Sequence, residues 1–103
     1  METDDSHLKP DPRLPAIRER YPEGTVVRGI VKHHAPFGVF LDLGDPDTDG
    51  LVRIPDFKDE GRMTPEEYPP LGSQVEAYIY GVQGVGYPQV IMSLRPSLVR
   101  GAV

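Results

Sequence analysis

The chain has 103 residues and a formal net charge of -5, from 16 acidic and 11 basic side chains. At this length we expect one hydrophobic core and therefore one domain. The absence of cysteine excludes a disulfide framework, a cysteine-based zinc site and a thiol nucleophile. No apolar run approaches the roughly 18–20 residues of a membrane span, and the acidic, proline-rich start is unlike a secretory signal. A cytoplasmic protein without a membrane partner is expected.

The negative charge is concentrated in one segment of the chain. Residues 42–67 contain nine acids against three bases, whereas the other residues after position 22 carry four bases against two acids. An acidic chain is unusual for nucleic-acid binding, but a binding face responds to its local charge. The acidic balance therefore lowers the expectation of a nucleic-acid partner without excluding one.

In chain order, a flexible acidic and proline-rich tail is predicted for residues 1–20, because little in it can be buried. Residues 21–96 are predicted to form the domain, and residues 97–103 a short C-terminal tail. Apolar residues at strand spacing, bounded by glycine and proline, predict five strands within the domain. These are Thr25–Lys32, Phe37–Leu43, Leu51–Ile54, Ser73–Tyr80 and Gln89–Leu94.

The segments within and between these strands predict a small barrel. Gly29 indicates a bulge or a sharp bend in the first strand. Four prolines indicate a connector after the third strand, with one helical turn at 64–67 that Thr64 caps and Pro65 begins. We therefore predict an all-β fold: a five-stranded antiparallel Greek-key OB-fold barrel with a short helical turn between strands three and four. A five-stranded SH3-like barrel is the alternative, which strand counting does not separate.

An ordered set of motifs runs from Gly24 to Leu94. It comprises the glycine pair Gly24 and Gly29, Phe37-Gly38-Val39-Phe40-Leu41-Asp42-Leu43, Gly50-Leu51-Val52-Arg53-Ile54, Gly72 before the fourth strand, and Ser93-Leu94-Arg95. In this order the motifs resemble the S1 domain, an RNA-binding OB-fold family named after a protein of the small ribosomal subunit. The resemblance covers about 70 of the 103 residues and favours the OB-fold over the SH3-like barrel.

The resemblance implies that single-stranded RNA lies across the second and third strands. Phe37 and Phe40 match the two aromatic contacts of the family. Arg53 replaces the customary histidine of the third strand, keeping a hydrogen-bond donor and making the charge permanent. Gln83 stands where an aspartate is expected and Gln89 roughly where an arginine is expected; glutamine can still form hydrogen bonds.

The three-residue spacing of Phe37 and Phe40 leaves two arrangements open. A regular pleat sends the two rings to opposite faces of the sheet. A shared face, which the resemblance favours, requires Pro36 or Gly38 to distort the pleat.

Further candidate contacts lie in or beside the connections between strands. Lys32 and His34 are expected to add positive charge, and Tyr87 is a further stacking candidate. Loops one–two and four–five border the ligand face of OB-folds, and neither 33–36 nor 83–88 contains an acid. Most acids are therefore expected on the other side of the barrel.

Two other constellations carry no site. The pair His33-His34 lacks a third metal ligand at a suitable spacing, and Asp45, Asp47 and Asp49 lack the glutamate of a calcium loop. Nothing resembles a nucleophile with its base. We predict no metal, no cofactor and no enzymatic activity.

Two function hypotheses remain. The first is weak, salt-sensitive and non-catalytic binding of single-stranded RNA with low sequence specificity, by a monomer acting in bacterial translation or RNA turnover. The second is an OB-fold adaptor with a degenerate RNA site, which docks a basic protein or a ribonucleoprotein on the acidic segment 42–67.

Overall fold

A computed structural model describes residues 11–61, 64–84 and 87–101. These residues form five strands and two short α-helices: α1 (Leu14–Arg20), β1 (Val26–Ala35), β2 (Gly38–Asp42), β3 (Asp49–Arg53), β4 (Gln74–Gln83), β5 (Gln89–Ser93) and α2 (Pro96–Gly101). Within these ranges no helix has the length and apolar character needed to cross a membrane.

The five strands close into a barrel in the order β1-β2-β3-β5-β4, with β4 returning to β1. This arrangement confirms the predicted all-β, five-stranded OB-fold barrel. Four pairings between strands are antiparallel, but β3 and β5 pair in parallel. The prediction of a wholly antiparallel barrel was therefore wrong for this one pairing. The reason is geometric, because a ring with an odd number of strands cannot reverse direction at every step.

Alternate residues of each strand fill the barrel interior. In β2, Val39 and Leu41 are fully buried, and Phe40 between them faces outward. The same alternation buries one side of the other strands, with Val31, Val52, Ala77, Ile79, Val90 and Met92 in the core. The predicted strands are therefore present in the predicted order, although β1 and β4 each extend three residues further.

The bulge of β1 lies at a different residue from the one indicated by its glycine. The register shifts between Val31 and His33, which makes Lys32 the extra residue. Gly29 keeps a regular pairing with β4. A Cβ at Gly29 would lie 3.0 Å from the Cβ of Leu41, so the glycine allows close packing in the barrel interior. The bulge itself lies three residues further along β1.

The sequence predicted a flexible tail for residues 1–20. Instead, residues 14–20 form the helix α1, which packs on the barrel. Leu14 and Ile17 lie on one side of α1 and are 2% and 0% exposed. Leu14 packs so closely on Gly84 that a Cβ there would lie 2.2 Å from the leucine Cδ1. A helix this short is stable only where the rest of the fold buries its apolar side, which local sequence does not reveal. Residues 1–10 lie outside the described residues.

The C-terminal segment also differs from the expected tail. It forms α2, in which Leu98 and Val99 are half-buried. The preceding Ser-Leu-Arg motif holds the 3₁₀ turn at Ile54–Asp56: the Leu94 amide donates to the Asp56 carbonyl at 2.8 Å, and the Arg95 guanidinium donates to the Pro55 carbonyl at 2.9 Å.

The connector between β3 and β4 closes the barrel at the end where β1 meets β2. Its 3₁₀ turn at Pro65–Glu67 is the helical turn that the sequence predicted, and the Thr64 amide donates to the Glu67 carboxylate at 3.1 Å. Tyr68 follows it and is buried; its hydroxyl donates to the Ala35 carbonyl at 2.8 Å, and its ring stacks on Phe57 at 5.5 Å. Helix α1 lies at the other end of β2.

Candidate nucleic-acid interface

Part of the outer surface of β1, β2 and β3, together with the turn before β2, forms one surface, which we call the aromatic face. The register sets its composition, because Phe40 pairs with His33 on β1 and Gly38 pairs with Arg53 on β3. Residues that pair directly across antiparallel strands present their side chains to the same side. The aromatic face comprises Lys32, His33, Phe37, Phe40, Asp49 and Arg53.

Phe37 and Phe40 share this face. Their ring centroids are 5.9 Å apart with an interplanar angle of 84°, and 53% of Phe37 is exposed. Phe37 lies in the turn before β2, so the strand pleat does not dictate its direction. Gly38 allows β2 to approach β3, since a Cβ there would lie 2.2 Å from the Val52 carbonyl oxygen. The structure thus adopts the shared arrangement of the two that the spacing left open.

His33 extends the pair into a row of three rings. Its ring centroid lies 5.9 Å from that of Phe40 with an interplanar angle of 44°. His33 is not among the RNA contacts that the sequence predicted. The bulge at Lys32 shifts the alternation by one residue and turns His33 toward Phe40, and no local sequence signal marks a bulge at that lysine.

His34, which the sequence analysis did select, is not brought to this row. It pairs with Val39, its Nε2 donates to the Pro69 carbonyl at 2.7 Å, and its ring meets Tyr68 edge-on at 5.2 Å. His34 therefore lies against the connector that closes the barrel end. There it borders an open apolar groove lined by Ala35, Pro36, Pro65 and Tyr68.

The two predicted cations of the face differ in their partners. Arg53 is exposed at the end of β3, and no carboxylate of the described residues lies within ion-pair distance of it. Lys32 reaches Asp49, with 2.6 Å between Nζ and Oδ1. The hydrogen bond to Asp49 raises the pKa of Lys32, and the nearby Asp42 adds to that effect. Asp49 thus places an acid on the aromatic face, so the expected separation of acids from this face is incomplete.

The remaining predicted contacts lie at the β5 edge of the aromatic face. Gln89 is half-buried and pairs with Asp49 on β3 and with Gln83 on β4. Tyr87 is 50% exposed and lies near enough to Lys32 to contribute to the raised pKa of that lysine. Tyr87 and Gln89 therefore adjoin the face, whereas Gln83 lies one strand further away.

The acidic segment 42–67 is largely paired within the protein. At least five of its nine acids lie within 4.0 Å of a cation in the described residues, as the pairs Asp45–Arg20, Asp47–Arg13, Asp49–Lys32, Asp56–Arg95 and Glu67–Lys58 show. The hydrogen bond from Lys58 lowers the pKa of Glu67 to about 2. More than half of the acids in this segment are therefore neutralised within the fold, which weakens the support that its charge gave to the hypothesis of a basic protein partner.

No three side chains of the metal-binding types cluster within residues 11–61, 64–84 and 87–101. Among the described residues, the aromatic face offers flat rings, the guanidinium of Arg53 without an ion-pair partner, and the amide of Gln89 at its edge. On a five-stranded OB-fold barrel, exposed rings and a cation on β2 and β3 are features of a nucleic-acid-binding module.

The comparison with family profiles agrees with this class. The S1 RNA binding domain profile matches residues 20–86, which is more than half of the chain. The protein belongs to the S1 RNA binding domain family.

Individual relatives are consistent with this membership. The small ribosomal subunit protein bS1 of Neisseria meningitidis is 39% identical over 64 residues, which cover 62% of this chain. Among solved structures, the complex of a/eIF2alpha with aDim2p and rRNA from Pyrococcus horikoshii superposes on 80% of the chain with a TM-score of 0.63 and 27% identity. GSP13 from Bacillus subtilis covers 72% of the chain with a TM-score of 0.62, and its 24% identity supports the fold alone.

The match covers only part of each relative. It spans 11% of the Neisseria protein, 51% of the Pyrococcus chain and 55% of GSP13. The similarity therefore concerns the domain, and the activities of the whole relatives do not follow from it.

Proposed function

We propose that the aromatic face binds single-stranded RNA without catalysis and with low sequence specificity. The observation that carries this proposal is the pair Phe37 and Phe40, whose rings lie 5.9 Å apart on one exposed surface of an S1-family barrel. Every nucleobase has a flat face, so stacking on such rings tolerates any sequence. At the edge of the face, the Gln89 amide is the main neutral group available to form hydrogen bonds with base edges. Because so few groups can distinguish the bases, we expect a weak sequence preference.

Arg53 supports the same proposal through charge. It stands beside the rings without an ion-pair partner in the described part of the chain, and a guanidinium can bind a phosphate with two parallel hydrogen bonds. With Lys32 held by Asp49, few cations are available to the phosphates, so we expect binding to be weak and sensitive to salt.

The first test removes both rings in the variant Phe37→Ala/Phe40→Ala. Stacking is worth about 1–3 kcal/mol per base, so we expect the Kd for a fluorescein-labelled decauridylate, measured by fluorescence anisotropy, to rise at least about tenfold. The matched control is Leu71→Ala, which removes an apolar side chain that is 61% exposed outside the aromatic face; it should leave the Kd unchanged. Unchanged affinity in the double variant, with the fold intact by circular dichroism, would defeat the proposal.

The names of the relatives support a setting for this activity. The Neisseria relative is a protein of the small ribosomal subunit, and the Pyrococcus structure contains rRNA. We place the protein in the cytoplasm, acting as a monomer in bacterial translation or RNA turnover. Crosslinking in cells followed by sequencing of the bound RNA tests this setting; recovery of DNA or of no nucleic acid contradicts it.

A further inference from the structure

An ion pair crosses the aromatic face beside its central ring. Lys32 projects outward from the bulge of β1, and Asp49 projects outward from the start of β3, with their charged atoms 2.6 Å apart. Neighbouring strands lie about 4.8 Å apart, so a pair that joins β1 to β3 must pass over β2. The outward residues of β2 are Phe40 and Asp42, and the pair therefore lies next to the Phe40 ring.

A bound RNA strand would need this space. A base stacked on Phe40 would bring its sugar and phosphate to the margin of the ring, and Lys32 is the lysine that β1 contributes to this part of the face. The Lys32 ammonium group already donates to an anionic oxygen of Asp49. A phosphate oxygen would use the same donor. The neighbouring Asp42 adds a second negative charge beside the same lysine, and like charges repel the phosphate backbone.

We propose that Asp49 acts as an internal substitute for an RNA phosphate and limits the affinity of the aromatic face by holding Lys32. RNA gains the Lys32 contact only when the phosphate displaces the carboxylate. Asp49 is therefore a residue that sets affinity without itself forming a favourable contact with RNA. This inference rests on the proposed RNA-binding function.

The test is a double-mutant cycle with Asp49→Asn, Lys32→Gln and the double variant, using labelled decauridylate at several salt concentrations. Asp49→Asn keeps the shape of the side chain and removes its charge. We expect it to tighten binding about three- to tenfold, because it releases a cation and removes a repulsion. The slope of log affinity against log salt should steepen by about 0.7, the value for one additional phosphate contact on a single strand.

The cycle separates a specific effect from a general change of charge. In the Lys32→Gln background, Asp49→Asn should tighten binding less than twofold. The matched control Glu66→Gln removes one negative charge from an exposed side chain outside the face, and it should leave the Kd unchanged. The thermal midpoint of each variant shows that the barrel remains folded.

The possible results distinguish the two proposals. If Asp49→Asn does not tighten binding, or tightens it equally with and without Lys32, the inference about Asp49 is wrong while RNA binding stands. If neither the wild type nor Asp49→Asn binds the oligonucleotide at any salt concentration, the proposed function is wrong and the inference about Asp49 falls with it.

Discussion

At the scale of single residues, the aromatic face depends on three rings that reach it by different routes. Phe40 faces outward through the ordinary alternation of β2, whereas Phe37 reaches the face from the turn before that strand. His33 reaches it because the bulge at Lys32 changes the alternation in β1. A one-residue change of phase is enough to exchange two adjacent histidines between surfaces.

The two histidines allow a direct comparison by substitution. We expect His33→Ala to weaken RNA binding by about 1 kcal/mol, or about fivefold in Kd, because it shortens the row of rings. His34→Ala should leave the Kd unchanged, since His34 lies against Pro69 and Tyr68 and away from the row. Fluorescence anisotropy measures both values. A larger loss of affinity in His34→Ala than in His33→Ala would contradict the assignment.

At the scale of elements, α1 is a part of the fold that other elements hold in place. Its apolar side covers the barrel at Gly84. Arg20 of α1 and Arg13, which directly precedes the helix, contact the loop between β2 and β3. Arg20 lies 2.9 Å from Asp45, and the Tyr21 hydroxyl donates to the same carboxylate at 3.0 Å. In the sequence, Asp45 and Asp47 are typical of an exposed loop. In the structure their carboxylates help to hold α1 on the barrel.

This docking should depend on pH in the acid range. Burial by itself raises the pKa of Asp45, but hydrogen bonds from the Asp47 amide, Tyr21 and Arg20 outweigh it and leave the pKa below the ordinary 3.8. A carboxyl whose pKa is lowered by folding stabilises the folded state above its ordinary pKa and loses that contribution as the pH falls through the lowered value. We therefore expect α1 to stay docked above about pH 4 and to loosen below it.

NMR measures this effect through the methyl resonances of Ile17, which is fully buried in the docked helix, followed from neutral to acid pH. In Asp45→Asn the charged carboxylate is absent at every pH, so the acid-dependent change in these resonances should shrink. The same acid-dependent change in wild type and variant would show that Asp45 does not control docking.

At the scale of the whole molecule, the distribution of charge matters more than its total. The protein carries -5 overall, yet at least four acids of segment 42–67 pair with cations from outside the segment. The aromatic face retains Arg53 as a cation without an ion-pair partner among the described residues. Long-range repulsion of RNA by the net charge should therefore be offset locally, and most strongly near Arg53.

Arg53 should dominate the salt dependence of binding. We expect Arg53→Gln to raise the Kd several-fold and to reduce the slope of log affinity against log salt by about 0.7, the contribution of one phosphate contact on a single strand. Arg100→Gln is the matched control, because it removes the same charge from an exposed position on α2. An equal reduction of the slope by both variants would mean that net charge, and not Arg53, sets the salt dependence.

Much of the fold could be predicted because its signals are local. Strand alternation and the glycines between strands identified all five strands in order, and Thr64 with Pro65 marked the helical turn of the connector. The helix α1 could not be predicted in the same way. Its two buried residues gain their stability from a barrel surface some seventy positions away in the chain.

The sequence by itself determined the barrel, the family and the presence of Phe37, Phe40 and Arg53 in strands or turns that meet. Only the tertiary structure decided that His33 and not His34 joins the row, and that Lys32 reaches the aromatic face already paired with Asp49. The physical reason is that alternation and turn chemistry act between near neighbours. A bulge and an ion pair between β1 and β3 depend on how separate strands align across the sheet.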